Sequence, residues 1–466
     1  MLCLLDPTEK RLFIDSIITM FKFYCLLFLS IFCYSQNEFK IIQSNTLENR
    51  TINGEKFEIF AGEIIVTHKK HTLYCDTMLI SQKNNFIKAW GKDKILIKDT
   101  SDLEIQSKTI LFFKNDSIIN FKDNVVCIKE GKKIYTNKLI YNSKEKIAYY
   151  ENGGEIHDKE IIINSKKCKY QIETENANFY EDVKLKGEDY IIFSNNINLN
   201  TKKELITFNE RSEIIKDSLN IKGDYGIYQK KTDCLDLFGN VIVEKNDKIN
   251  IISNTLISEN NISTFTDKPK IIIKSDESDF TIKGDEIIIN NKDSILSIFN
   301  NVYIYSDSIK GECETSFYDL KYEKISLIKK PVLWVNKQQI TGDTIFLYTK
   351  NESLDSIYIP RNSFVLSKKH EKYYNQIKGN VLSGKFFENK IEYIYITGNS
   401  TLKYFNKKSG LIDGVNDIIC NKMKIYFTKS DIEKIYFNGE PDANYTPVQL
   451  INESDIYLDG FSVIER

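Results

Sequence analysis

Short apolar strands recur along this chain at a period of about thirty residues, the size of one unit in a repeat protein. The phrase GDTIFLYT, which begins at Gly342, has close copies beginning at Ser107, Thr136, Ser194 and Gly284. The second residue of the phrase marks each copy, and these marker positions are Asp76, Lys108, Asn137, Lys166, Asn195, Asp224, Asn254, Asp285, Glu312, Asp343, Asn380 and Asn421. A period sustained over this length predicts an array of similar units rather than one catalytic motif.

Within each copy, polar and apolar residues alternate with a period of two. The residue after the marker is mostly polar, and the residues two and four positions after it are mostly apolar. This alternation predicts a strand with one buried face. The inward residues that it indicates are Ile110, Phe112, Leu139, Tyr141, Ile197, Leu199, Ile287, Ile289, Ile345 and Leu347. They form either a packed core or the lining of an apolar groove, and the pattern alone leaves both open.

A second phrase lies between the markers and reads as a turn that opens into a strand. Examples are DNVVCI at Asp123, GNVIVE at Gly239 and NNVYIY at Asn300. Gly, Asn or Asp before alternating β-branched residues is typical of a turn followed by a strand. Because no stretch shows a 3.6-residue apolar period, we expect an all-β fold.

Composition narrows the function. Of 466 residues, 41% are hydrophobic, and 64 basic residues are balanced by 65 acidic residues. A net charge of −1 removes the usual basis for nucleic-acid binding, which is dominated by phosphate neutralisation. We therefore predict no nucleic-acid partner.

The N-terminal stretch is typical of an export signal. The segment from Met20 places Lys22 before an apolar run from Phe23 to Cys33, and that run is too short to span a bilayer as a helix. We interpret residues 1–35 as a signal peptide whose true start is Met20, and we expect the mature protein outside the cytoplasm. Residues 36–54 are expected to be a linker, residues 55–437 the repeated region in one module or two, and residues 438–466 a C-terminal cap or a partner-docking tail.

Catalytic and metal sites are not indicated. The six Cys beyond the signal peptide have wide, irregular spacings, which favour buried small side chains and leave any disulfide pairing open. The sequence HKKH, from His68 to His71, lacks the Glu of a metalloprotease helix and is expected to be a solvated turn. We predict no enzyme activity, no cofactor and no metal.

The order of the two phrases resembles the OstA/LptA-type lipopolysaccharide-transport family, in particular the longer OstA-like proteins of Bacteroidetes-type bacteria. The residues that carry the resemblance are the G-N-V turns at Gly239 and Gly379, YCDTMLI at Tyr74 and LIY at Leu139. Several turns depart from it, since they read D-N-V, N-N-V or E-D-V. The resemblance covers roughly residues 55–430.

The resemblance implies an elongated, open-ended β-jellyroll of antiparallel strands with a lengthwise apolar groove. It further implies a periplasmic carrier that moves lipopolysaccharide towards the outer membrane, with its acyl chains in the groove. The implied partners are other jellyroll components of the transport bridge and an outer-membrane barrel translocon, joined by strand addition. The alternative that the residues leave open is a structural or adhesive β-solenoid with a packed core and no lipid cargo.

Overall fold

The computed structural model describes residues 39–465, except 69–70, 101, 130, 159–160, 188–189, 201, 217, 233, 275–278, 291, 308, 351–352, 389 and 429–430. The signal peptide expected over residues 1–35 lies outside the described residues.

The described chain is all-β, as the alternation predicted, and its strand pairs are antiparallel. It divides into two compact units, of which the N-terminal one ends at Val241 and the C-terminal one begins at Ile242. The division falls inside the strand β19 (Cys234–Lys245).

The strands of the N-terminal unit are β1 (Lys40–Gln43), β2 (Thr46–Ile52), β3 (Glu55–His68), β4 (His71–Ser81), β5 (Phe86–Asp99), β6 (Leu103–Phe113), β7 (Ile118–Lys129), β8 (Lys132–Asn142), β9 (Ile147–Tyr150), β10 (Gly154–Asp158), β11 (Ile161–Ser165), β12 (Lys167–Gln171), β13 (Asn176–Lys186), β14 (Tyr190–Asn200), β15 (Leu205–Phe208), β16 (Ser212–Lys216), β17 (Leu219–Gly223) and β18 (Tyr225–Gln229). A single 3-10 turn, Lys230–Thr232, follows β18.

The strands that follow β19 are β20 (Ile249–Glu259), β21 (Ile262–Thr266), β22 (Lys270–Ile273), β23 (Phe280–Lys283), β24 (Glu286–Asn290), β25 (Ile295–Tyr305), β26 (Ile309–Asp319), β27 (Lys324–Ile328), β28 (Val332–Val335), β29 (Gln338–Thr341), β30 (Thr344–Lys350), β31 (Ser353–Ile359), β32 (Ser363–Lys368), β33 (Tyr374–Gly379), β34 (Val381–Phe387), β35 (Lys390–Lys408), β36 (Leu411–Thr428), β37 (Asp431–Asn438) and β38 (Asp442–Pro447). Two 3-10 turns, Val448–Leu450 and Glu453–Asp455, come after β38.

Most repeats contain a corner at which two consecutive residues have positive φ. Positive φ is the left-handed region, which Gly, Asn and Asp enter most readily. The paired corner residues are Gly62 and Glu63, Asp123 and Asn124, Glu181 and Asp182, Gly239 and Asn240, Asp267 and Lys268, Asn300 and Asn301, Lys329 and Lys330, Gly398 and Asn399, and Gly439 and Glu440. Where a corner interrupts a long strand, the pairing register shifts there, so two residues bulge out and the strand turns.

The marker residue that precedes a corner in the chain binds that corner. The Asp285 N–H donates to the carbonyls of both Phe299 and Asn300, at 3.1 Å each. The Asp285 carboxylate accepts a hydrogen bond from Asn301 Nδ2 at 2.8 Å. Asp224 makes the same set of bonds, with Asn240 as the side-chain donor. One recurring phrase therefore supplies the marker and the other supplies the corner that the marker binds. Because the two must meet in space, they recur with a common period.

A small residue precedes most markers because the strands crowd together at the corner. A Cβ atom on Gly284 would lie 2.5 Å from Ile298 Cγ2, and one on Gly379 would lie 2.2 Å from Ile396 Cγ2. Other copies place a Ser or Cys here, such as Ser107, which is buried. The small residue before each marker is visible in the sequence, but the alternation of polar and apolar residues does not predict it.

Two sequence expectations need correction. Residues 40–43 and 46–52, expected to belong to a linker, are the strands β1 and β2, and the Asn45 N–H binds the corner carbonyls of Ala61 and Gly62. The marker assigned to Glu312 is Glu314, whose N–H donates to the Lys329 carbonyl at 3.2 Å. The distance from Asp285 to Glu314 and the distance from Glu314 to Asp343 are then both 29 residues, so the repeat is more regular than with a marker at Glu312.

We expect Gly379→Ala to lower the free energy of unfolding by about 1–3 kcal/mol, since the new methyl group collides with Ile396 in a packed corner. Gly223→Ala is the matched control, because its Cβ would lie 3.3 Å from the nearest atom, Leu237 Cβ. Urea denaturation followed by circular dichroism measures both. Equal effects at the two positions would contradict the steric account of the corner.

Candidate functional site: an apolar pocket in the N-terminal unit

The corners divide the first long strands into two halves, and each set of halves forms one leaf of a bent sheet. The first leaf contains residues 55–61 of β3 with its partners 77–81, 86–90, 109–113 and 118–122. The second leaf contains residues 64–68 of β3 with 71–75, 95–99, 103–107 and 125–129. Backbone hydrogen bonds run within each leaf, and side chains fill the space between the leaves.

An apolar pocket lies between these leaves. The lining residues from the first leaf are Ile87, Ala89, Ile110, Phe112, Ile119 and Phe121, and those from the second leaf are Val66, His68, His71, Leu73 and Ile97. The cavity measures about 70 Å³ within an opening of about 600 Å³ that includes the solvent at its mouth. The two leaves are therefore separated at this pocket, whereas away from it they meet through buried side chains.

Phe39 spans the two leaves at this pocket. Its ring stacks on His68 of the second leaf, with the ring centroids 4.9 Å apart, and lies 6.1 Å from the ring of Phe112 in the first leaf. Phe39 and Phe112 are both half-buried. These rings offer an apolar surface that is partly accessible from solvent.

His71 gives the pocket a polar edge. Its imidazole is 6% exposed and its Nε2 lies 3.7 Å from Oδ2 of Asp99, whose side chain is 1% exposed. Asp99 Oδ1 also accepts a hydrogen bond from the Leu103 N–H at 3.0 Å. The expectation that HKKH is a solvated turn is therefore wrong for His71, because its cross-strand partner is an acidic residue that the local sequence does not reveal.

Of the ten residues predicted to face inward, Ile110 and Phe112 line the pocket. Leu139, Tyr141, Ile197 and Leu199 are buried elsewhere in the N-terminal unit, and Ile287, Ile289, Ile345 and Leu347 are buried in the C-terminal unit. The sequence analysis missed the contribution of the second leaf, such as Val66 and Ile97. The same alternation, applied to the strands that follow each corner, would have found it.

The pocket offers apolar contact rather than reactive groups. Burial raises the pKa of the Cys127 thiol to about 12, and burial with nearby Asp76 raises that of Cys75 to about 12. Both thiols are thus protonated at neutral pH, and all six described cysteines are free. Among the described residues, no group of three or more His, Cys, Asp or Glu is placed to hold a metal ion. In the described residues, no helix is long and apolar enough to cross a membrane.

Comparisons with known proteins bear on the stretch that contains the pocket. Residues 36–195 match the family of OstA-like proteins, which confirms the resemblance over this range. Among solved structures, the chain is similar to "Crystal structure of LptH, the LptA homologous periplasmic component of the conserved lipopolysaccharide transport device from Pseudomonas aeruginosa", at 17% identity over 24% of this chain and 81% of that chain. The TM-score is 0.21. The search of curated proteins gave no match.

We expect Asp99→Ala to destabilise the N-terminal unit by about 1–3 kcal/mol, because it removes the acceptor for the Leu103 N–H and the partner of a buried imidazole. Thermal denaturation measures the effect. Lys98→Ala is the control, since Lys98 is half exposed in its pair with Glu104 and such a pair contributes about 0–1 kcal/mol. If the control were as costly as Asp99→Ala, the pair with His71 would not stabilise the pocket.

Proposed function

We propose that this protein is a lipopolysaccharide carrier of a periplasmic transport bridge, since residues 36–195 match the family of OstA-like proteins. The observation that carries the proposal is the apolar pocket between the two leaves of the N-terminal unit. In this proposal the pocket receives acyl chains, and the cargo moves from there towards the outer membrane.

The chemistry of the pocket suits an acyl chain. Its lining is aliphatic and aromatic apart from His68 and His71. Each methylene group that leaves water for such a surface contributes about 0.8 kcal/mol. Phe39 and Phe112 lie where the first methylene groups would make contact.

The proposed path continues between the leaves of the N-terminal unit, past Leu139, Tyr141, Ile197 and Leu199. These side chains are now buried, so a lipid has to part the leaves to pass them. Parting them costs side-chain contacts but no ladder hydrogen bonds, because those bonds run within each leaf. A closed interior is therefore compatible with a lipid path that opens when cargo enters.

Strand addition is the proposed way of joining neighbours. In the described residues β1 and β2 pair with β3, and their Ile42 and Leu47 are more than half exposed. β37 and β38 pair with β36, and they expose Tyr436 and Tyr445. Exposed strand edges recruit further strands. We propose that other jellyroll components of the bridge and an outer-membrane barrel translocon pair with such edges.

A structural β-solenoid is the second candidate. The observation that favours it is the packing of the C-terminal unit, in which Ile287, Ile289, Ile345 and Leu347 have no exposed surface. A protein with a purely structural role needs no space between its leaves, and this unit shows none at these four positions.

Photo-crosslinking in cells separates the two candidates. A photoreactive residue in place of Phe112 is expected to form an adduct with lipopolysaccharide, because the side chain lines the pocket. The matched control is the adjacent Leu111, which alternates to the other face of the same strand. A third position, Leu347, reports whether the cargo also reaches the C-terminal unit.

An adduct at Phe112 but not at Leu111 would support the carrier, and an added adduct at Leu347 would extend the path into the C-terminal unit. A folded protein without an adduct at Phe112 would overturn the carrier in favour of the packed solenoid.

A further inference from the structure

Four strands of the C-terminal unit are buried on both faces, unlike the alternating strands around them. These are β28, β29, β32 and β33. One face carries the aliphatic row Leu333, Ile340, Val365 and Ile377, which belongs to the core. The other face carries, in register across the same strands, Trp334, Gln339, Leu366 and Gln376.

The C-terminal tail covers this second face, and two glutamine side chains hold its main chain. Gln376 Nε2 donates to the Ile456 carbonyl at 2.8 Å, and its Oε1 accepts from the Leu458 N–H at 2.7 Å. Gln339 Nε2 donates to the Ser462 carbonyl at 2.8 Å, and its Oε1 accepts from the Ile464 N–H at 2.9 Å. Each carboxamide thus binds the carbonyl of one residue and the N–H of the second residue after it.

This is the bonding that one residue of a parallel strand gives to its neighbour. Each glutamine side chain therefore holds one short stretch of the tail, residues 456–458 or 462–464, through backbone atoms alone. The tail turns between the two stretches, where Gly460 has a φ of +89° and the Phe461 N–H donates to the Leu458 carbonyl at 3.0 Å. Gln376 has no exposed surface and Gln339 is 8% exposed, so both amides depend on the tail for these partners.

Two tail side chains supply apolar contacts. Ile456 is 3% exposed and packs with Phe405 and Val415. The Phe461 ring lies edge-on to Tyr374, with the centroids 5.5 Å apart, and stacks on Tyr457 of the tail itself at 4.1 Å. An aliphatic residue followed five positions later by an aromatic residue is therefore the pattern that this face fits.

The remaining polar contacts of the tail lie at its exposed edge, and they include hydrogen bonds from Lys378 Nζ to the Asp459 carbonyl at 2.8 Å and from the Tyr457 hydroxyl to the Lys372 carbonyl at 3.2 Å. Lys372 pairs with Glu453 and Lys378 with Asp459, each at 3.1 Å, and the two carboxylates are almost fully exposed. Such pairs contribute little to stability. The tail reaches the face through the turn Val448–Leu450, where Leu450 is 70% exposed, so no strand of the sheet has to separate for the tail to leave.

From these contacts we propose that the face with Gln339, Leu366 and Gln376 is a binding groove for a peptide that turns between two backbone contacts. Residues 456–464 are its resident ligand, bound within the chain. The partner class that the groove fits is a segment with a glycine turn and with the aliphatic and aromatic spacing of Ile456 and Phe461. This inference is independent of the lipid cargo.

The test uses the full chain with a protease site inserted after Leu450, cut after folding. A fluorescent peptide of residues 451–466 is then added, and fluorescence anisotropy follows its uptake. We expect saturable binding that excess unlabelled peptide reverses. In the Gln339→Ala, Gln376→Ala double variant we expect binding at least ten times weaker. Lys372→Ala is the matched control and should change binding less than threefold.

Three results would overturn the proposal. In the first, the cut tail dissociates but the added peptide does not bind. In the second, the cut tail stays bound and never exchanges with the peptide. In the third, the double variant binds the peptide as tightly as the unmutated protein does. Circular dichroism of the double variant before cleavage shows whether it folds. If the double variant does not fold, the substitutions are made in the peptide and its binding to the unmutated, cut protein is measured. A peptide with Ile456→Asp and Phe461→Ala must then fail to bind, whereas a peptide with Asp459→Asn must still bind.

Discussion

The bond between a marker residue and the left-handed corner that follows it joins the two recurring phrases, as at Asp224 and Asp285. At Asp285 one main-chain N–H and one carboxylate bind both carbonyls and the side chain of a bulge centred on Asn300 and Asn301. Residues in the left-handed region are costly unless the surroundings fix them. The marker supplies that fixation, and it can do so only when it lies at a set distance along the chain. The period of the sequence follows from this requirement.

The corner also creates the space on which the proposed function depends. In the N-terminal unit it bends the strands into two leaves whose ladders are complete in themselves, so away from the corners only side-chain packing joins the leaves. The leaves can pack against each other with no space between them, as at Leu199, or lie apart, as at Phe112. The C-terminal unit uses the same corner with a closed interior at Ile287 and Leu347, and it adds a tail that covers a second face.

The strands and their inward residues could be predicted because a period of two in a single segment determines which side chains share a face. The all-β fold and the burial of Ile197 or Ile345 follow from that rule. Features that join distant segments could not be predicted. The pairing of His71 with Asp99 depends on strand register, and the cover over Gln376 depends on a tail 80 residues later in the chain. The separation of the leaves at Phe112 is a matter of packing, which alternation does not report.

The most direct test of the central claim is the binding of purified lipopolysaccharide to the purified protein, measured by titration calorimetry. The account expects saturable binding by the unmodified chain and by Leu111→Asp, which alters the opposite face of the same strand. It expects binding at least ten times weaker in Phe112→Asp, since a carboxylate in the pocket would have to lose its hydration against an acyl chain. Equal binding by all three proteins, or none by the unmodified chain, would contradict the claim that the space between the leaves receives the lipid.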